Sequence, residues 1–190
     1  MSFEVFDDIK KIFKQIGITT ADQGSIVNSV YTLNGVFNDD NYNSLTVTVI
    51  HDYWPHFSSI SISIPCLTLP RKKISVAYEL INRINCCLKY DHFKINPEDR
   101  AVQLYAGFYS GMVSGDEEEA DEADDDSEFS DSMDFYSYYH LRMLISQMIG
   151  RCFLFSSLFQ ELITTNKPVQ TIFNNFMNNL TKEEKNIIDH

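Results

Sequence analysis

Glycine and proline are scarce in this chain, with seven and five in 190 residues. Collagen-like and low-complexity classes are thereby excluded. No apolar run approaches the roughly 20 residues that a membrane-spanning helix needs, so no contact with a membrane is expected. The start, MSFEVFDDIKK, has neither the basic residues nor the apolar stretch of a cleaved secretion signal, and a cytosolic location is expected. The four cysteines make no Cys-x-x-Cys pair and no Cys/His ladder, which argues against a structural zinc or a redox motif. Cys86 and Cys87 are neighbours whose side chains diverge by about 100° on a helix. With Cys66 and Cys152 isolated, all of them read as small buried hydrophobes. Also missing are Gly-x-Ser-x-Gly, a glycine-rich phosphate loop and His-Glu-x-x-His. No catalytic residues and no cofactor are expected, and the chain does not read as an enzyme.

Apolar residues make up 44% of the chain, with fourteen Phe and ten Tyr, enough to build a buried core. The formal charge of −12 is unevenly spread. Twelve of the 27 acidic residues fall between Asp116 and Asp134 with no Lys or Arg among them, which leaves fifteen acids against fifteen bases. A neutral body with one acidic ribbon has no clustered cations for phosphate contacts, so no nucleic-acid partner is expected.

The hydrophobic pattern predicts one α+β domain over residues 1–190, with an acidic inserted loop at 115–133 and a helical extension at 166–190. Residues 2–16 form an amphipathic helix with Phe6, Ile9, Phe13 and Ile16 inward and Gly17 as its stop. A first strand is expected within residues 25–33, then a polar connection over 34–43. Leu45, Val47 and Val49 alternate with Thr46 and Thr48, and Ile60, Ile62 and Ile64 alternate with Ser59, Ser61 and Ser63. This period of two describes antiparallel strands with one buried face and one wet face. Residues 65–70 end the sheet run.

Ile74, Ala77, Ile81, Ile84 and Leu88 then recur at helical spacing. A hairpin follows, with Phe93 and Ile95 on one strand, Val102, Leu104, Ala106 and Phe108 on the next, and residues 96–100 as its turn. Leu141, Leu144, Ile145, Met148, Cys152, Phe155, Phe159 and Leu162 stripe a long helix over 134–164, with Gly150 as its weak point. Asn166 is placed to cap a further helix with Pro168 in its first turn, and Thr181-x-x-Glu184 is a capping-box pattern for a last one.

The order is helix, three strands, helix, two-strand hairpin, long helix, with extra helices at the end. It resembles the YbjN family of bacterial proteins, also described as sensory-transduction regulators, whose fold is similar to that of type III secretion chaperones. The resemblance is carried by Ala77-Tyr78-Glu79-Leu80-Ile81-Asn82-Arg83-Ile84-Asn85 and by Phe93-Lys94-Ile95-Asn96. It implies a non-enzymatic adaptor or chaperone-like regulator that binds another protein and forms a homodimer. The acidic loop and the final helices depart from the family's pattern.

Several residues are candidates for contact. Asn82 and Asn85 share one helix edge, where they either bond a partner strand or tie the helix to its own sheet. Phe135, Tyr136, Tyr138 and Tyr139 crowd the start of the long helix and point in several directions, which suits either a core or an interface. The loop carboxylates Asp116, Glu117, Glu118, Glu119, Asp121, Glu122, Asp124, Asp125 and Asp126 read as a solvated stretch or as a docking segment for a basic partner. That segment gives an alternative function, an acidic inhibitor that masks a basic surface. His51, Asp52 and His56 offer ligand chemistry but no third cluster, and they read as ordinary turn residues.

Overall fold

A computed structural model describes residues 3–21, 24–27, 30–39, 42–52, 57–109 and 135–189. Helix α1 (Phe3–Gln15) buries Ile9, Ile12 and Phe13 and stops at Gly17, whose φ of 80° suits a residue without Cβ. Five strands follow: β1 (Ile18–Thr20), β2 (Ser25–Val27), β3 (Val30–Asp39), β4 (Tyr42–Asp52) and β5 (Phe57–Thr68). A 3-10 turn (Arg71–Lys73) leads into α2 (Ile74–Asn85). The hairpin β6 (Asp91–Ile95) and β7 (Ala101–Tyr109) comes next, then α3 (Phe135–Thr164), α4 (Val169–Asn179) and α5 (Lys182–Asp189).

The architecture is α+β, with every strand pair antiparallel. Strand order is β1-β3-β4-β5-β7-β6, and β2 also pairs with β3, so β1 and β2 lie along the same edge one after the other. Leu45, Val47, Val49, Ile60, Ile62 and Ile64 are buried, as their alternation requires. They face a helical layer in which the expected α3 stripe is buried from Leu141 to Leu162, apart from half-buried Leu144. Phe93 of β6 meets Phe155 and Phe159 of α3 with ring centroids 5.6 and 5.5 Å apart.

Several expected boundaries need correction. Residues 25–33 are not one strand. Val27 pairs with Val30, so β2 folds back on β3. The polar connection over 34–43 is instead largely strand, because β3 continues to Asp39 with Leu33 and Gly35 inward and Asn34 and Val36 outward. Gly35 breaks the apolar alternation for a steric reason: a Cβ there would sit 2.7 Å from the Phe13 ring and clash with Ile18, so α1 and β1 close over a bare backbone. Strand β5 passes Pro65 and reaches Thr68 with a register shift between Ile64 and Thr68, where a residue lacking an N–H interrupts the ladder. Helix α3 runs unbroken through Gly150, and α5 packs there with Ile187 Cγ2 3.6 Å from where a Cβ would stand.

The C-terminal helices pack on the same chain. Val169, Ile172, Leu180 and Ile188 join the one buried cluster. Helix α4 begins after Pro168, two residues later than expected, with Pro168 rather than Asn166 at its N-cap position. The capping box of α5 is complete: the Thr181 N–H donates to Glu184 Oε2 at 2.8 Å and the Glu184 N–H to Thr181 Oγ1 at 3.2 Å. The Lys73 ammonium donates to the Thr165 carbonyl, placing a cation at the negative end of α3 and joining the start of α2 to it. Among the described residues no helix is long and apolar enough to cross a membrane.

Candidate protein-binding site

The two outer edges of the sheet differ. In the β6–β7 pairing the Asn96 N–H reaches the Ala101 carbonyl, so even-numbered β6 residues face β7 and Asp91, Phe93 and Ile95 turn their backbone groups outward. Helix α2 ends beside that edge. The Asn85 carboxamide takes both groups of Phe93: its Oδ1 accepts the Phe93 N–H at 2.7 Å and its Nδ2 donates to the Phe93 carbonyl at 3.0 Å. One side chain thus mimics the strand that would otherwise add at this position. Asn85 is therefore committed to its own sheet and not offered to a partner, whereas Asn82, one helical turn away, is exposed.

At the opposite edge the Ala21 N–H donates to the Asn34 carbonyl at 2.9 Å. By the same alternation Thr19 faces β3, and the backbone groups of Ile18 and Thr20 point outward. No strand pairs with that side of β1 among the described residues. The edge opens instead on a cleft of about 850 Å³ lined by Lys10 and Lys14 of α1 and by residues 17–21. Lys14 is exposed in the last turn of α1, and half-buried Lys10 pairs with Asp7 at 3.9 Å. The cleft thus presents outward amide and carbonyl groups beside two cations, a setting for an extended segment that carries carboxylates.

On the wet face of the sheet, cross-strand side chains bond one another. Thr48 Oγ1 donates to Asn34 Oδ1 at 2.8 Å, and Gln103 Nε2 to Ser63 Oγ at 2.9 Å. The Lys94 ammonium lies 4.0 Å from the Tyr105 ring centroid, and His92 packs against the same ring at 5.3 Å. Burial lowers the pKa of Lys94.

A polar pair missed by periodicity lies under the helices. Arg151 of α3 and Asp91 of β6 have fully buried side chains and meet at 2.7 Å through Nη1 and Oδ2. Arg151 Nε also donates to the Ile187 carbonyl of α5 at 2.9 Å. Burial raises the Asp91 carboxyl, and the bond and charge of Arg151 oppose that rise. The adjacent Cys152 thiol is pushed well above its ordinary range by burial and by Asp91, which makes it inert. Cys152 is buried as expected and Cys87 half-buried, whereas Cys86 is exposed, because it falls on the outer side of the turn that ends α2.

Tyr139 is 52% and Met143 40% exposed, one turn apart on α3, while Tyr138 is half-buried against the core cluster. Of the expected aromatic cluster, Tyr138 thus packs on the core and Tyr139 faces solvent. The side chains of Phe135 and Tyr136, the loop carboxylates at 116–126, the side chains of His51 and Asp52, and the whole of His56 lie outside the described residues. Among the described residues no group of His, Cys, Asp and Glu is placed to hold a metal ion. No family model, curated protein or solved structure matches this chain.

Proposed function

We propose that this chain is a non-enzymatic, chaperone-like adaptor that receives an extended segment of another protein along the outer edge of β1. The contrast between the two sheet edges carries this reading: Asn85 occupies the outward groups of Phe93, while β1 faces a lysine-flanked cleft. Main-chain bonds at such an edge supply affinity, and flanking side chains supply selectivity. The resemblance of residues 77–85 and 93–96 to the YbjN family supports the adaptor class and, with it, a homodimer. The exposed Tyr139 and Met143 offer an apolar contact for a second copy.

The test is affinity capture with wild-type and Thr20→Pro baits. Because the Thr20 N–H points away from β3, proline removes an edge donor without breaking a β1–β3 bond. The account expects a partner retained by wild type and by Asn82→Ala but reduced at least tenfold on Thr20→Pro. Equal retention by all three baits contradicts it. The acidic-inhibitor alternative draws on the twelve carboxylates between Asp116 and Asp134. It predicts a basic partner that is lost when those carboxylates are neutralised and indifferent to Thr20→Pro.

A further inference from the structure

The open edge of the sheet is longer than β1. The Asn34 carbonyl accepts from Ala21, so the even-numbered residues of β3 turn their backbone groups toward this edge. Val30 and Thr32 do the same further along, and their register partners in β2 are Val27 and Ser25. The N–H and carbonyl of Ile26 between them therefore point outward, on the same side as those of Ile18 and Thr20. Among the described residues no strand pairs with that side of β2 either. Ile18, Thr20 and Ile26 stand opposite Phe37, Gly35 and Tyr31 of β3, so the three outward positions stretch over about 20 Å. From Thr20 to Ile26 the chain takes six steps where β3, from Gly35 to Tyr31, takes four. Those two extra residues divide the edge into two parts and discourage indiscriminate pairing along its whole length. Its charge lies at one end: Lys14 lines the cleft beside Ile18 and has no ion-pair partner among the described residues, whereas Lys10 is held by Asp7.

We propose that the partner segment spans both parts of this edge. It is an extended stretch of about seven residues that bonds the outward groups of Ile18, Thr20 and Ile26 and carries an Asp or Glu at the end beside Lys14. The inference rests on the reading of β1 given above and adds the length of the segment and the position of its charge. A segment that meets β1 alone finds two outward residues. One that reaches β2 gains a third, and the gap between the two parts then fixes its register.

Selection of random dodecapeptides on the full-length protein, followed by affinity and amide-exchange measurements with the winning peptide, tests this. The expected winner carries an acidic residue near one end and loses at least fivefold in affinity on Lys14→Gln. Trimming it from seven residues to four should cost at least tenfold. In the wild type it should slow exchange at Ile18, Thr20 and Ile26 while Ser25 and Val27, already directed at β3, change little. Slowing at Ile18 and Thr20 without Ile26, a four-residue peptide that binds equally well, or indifference to Lys14→Gln overturns the proposal. Each of these leaves the adaptor reading intact if Thr20→Pro still abolishes partner capture. A winner that binds Thr20→Pro and wild type equally, without slowing any of the three amides, removes that reading as well. Amides of Ile18, Thr20 and Ile26 that are already slow in the free protein and quicken on dilution assign the edge to a second copy and overturn the proposal, as does a library that yields no binder.

Discussion

Replacing Arg151 by methionine should make the stability of this protein depend on pH in a particular direction. Arg151 is fully buried, and its Nη1 at 2.7 Å from Asp91 Oδ2 holds the carboxyl down against burial, which pushes it up. In Arg151→Met burial remains the largest influence, opposed only by a backbone hydrogen bond and the nearby His92. The folded chain then binds the Asp91 proton more tightly than the unfolded chain does. A carboxyl raised on folding contributes stability below its unfolded pKa and loses it as pH rises through the folded one. The deficit relative to wild type should therefore grow between about pH 4.5 and pH 8, at up to about 1.4 kcal/mol per pH unit. At pH 8 it should reach about 3–5 kcal/mol, the cost of leaving one buried charge unpaired. Near pH 4.5 it should shrink to about 1 kcal/mol, the loss of the Arg151–Ile187 hydrogen bond. Urea denaturation across this range measures it, and Asp91→Leu/Arg151→Met should restore stability to near wild type with no pH slope. A deficit that is flat with pH, or below about 1 kcal/mol at pH 8, refutes the reasoning.

Further substitutions probe other joints. Gly35→Ala should cost about 1–3 kcal/mol by overpacking against Phe13 and Ile18, and should disturb the β1 cleft, both visible in a denaturation curve and in the spectrum of β1. Asn85→Ala strips the outward groups of Phe93 of their partner. A loss of about 1–3 kcal/mol is expected, together with concentration-dependent association through the opened β6 edge, measured by light scattering. Thr181→Ala removes half of the capping box and should cost about 1 kcal/mol, with faster amide exchange confined to α5.

The parts of the fold legible in the sequence are those where one residue pattern decides one local outcome. The alternation of Leu45, Val47 and Val49 against Thr46 and Thr48 can satisfy only a one-faced strand, and Thr181-x-x-Glu184 only a helix start. Strand β1 escaped because three residues carry too little alternation to be read. Strand β3 escaped because close approach of α1 demanded Gly35 where an apolar residue would have marked the pattern. Arg151 did leave a signal, a cation on the apolar stripe between Met148 and Phe155. Its partner stands 60 positions away, so only the tertiary fold could name it. The same holds for the site. Asn85 was visible as a polar residue at a helix end, but its commitment to Phe93 depends on where β6 passes. The lysine-lined edge of β1 exists only once α1 and β1 are brought together.

Amide hydrogen exchange along β1, in the free protein and with its captured partner bound, tests the central claim most directly. The outward N–H groups of Ile18 and Thr20 should slow at least tenfold on binding, while Thr19 and Ala21, already directed at β3, change little. Slowing confined to the wet face around Tyr105, or to the exposed side of α2 at Asn82, would contradict the claim that β1 receives the partner.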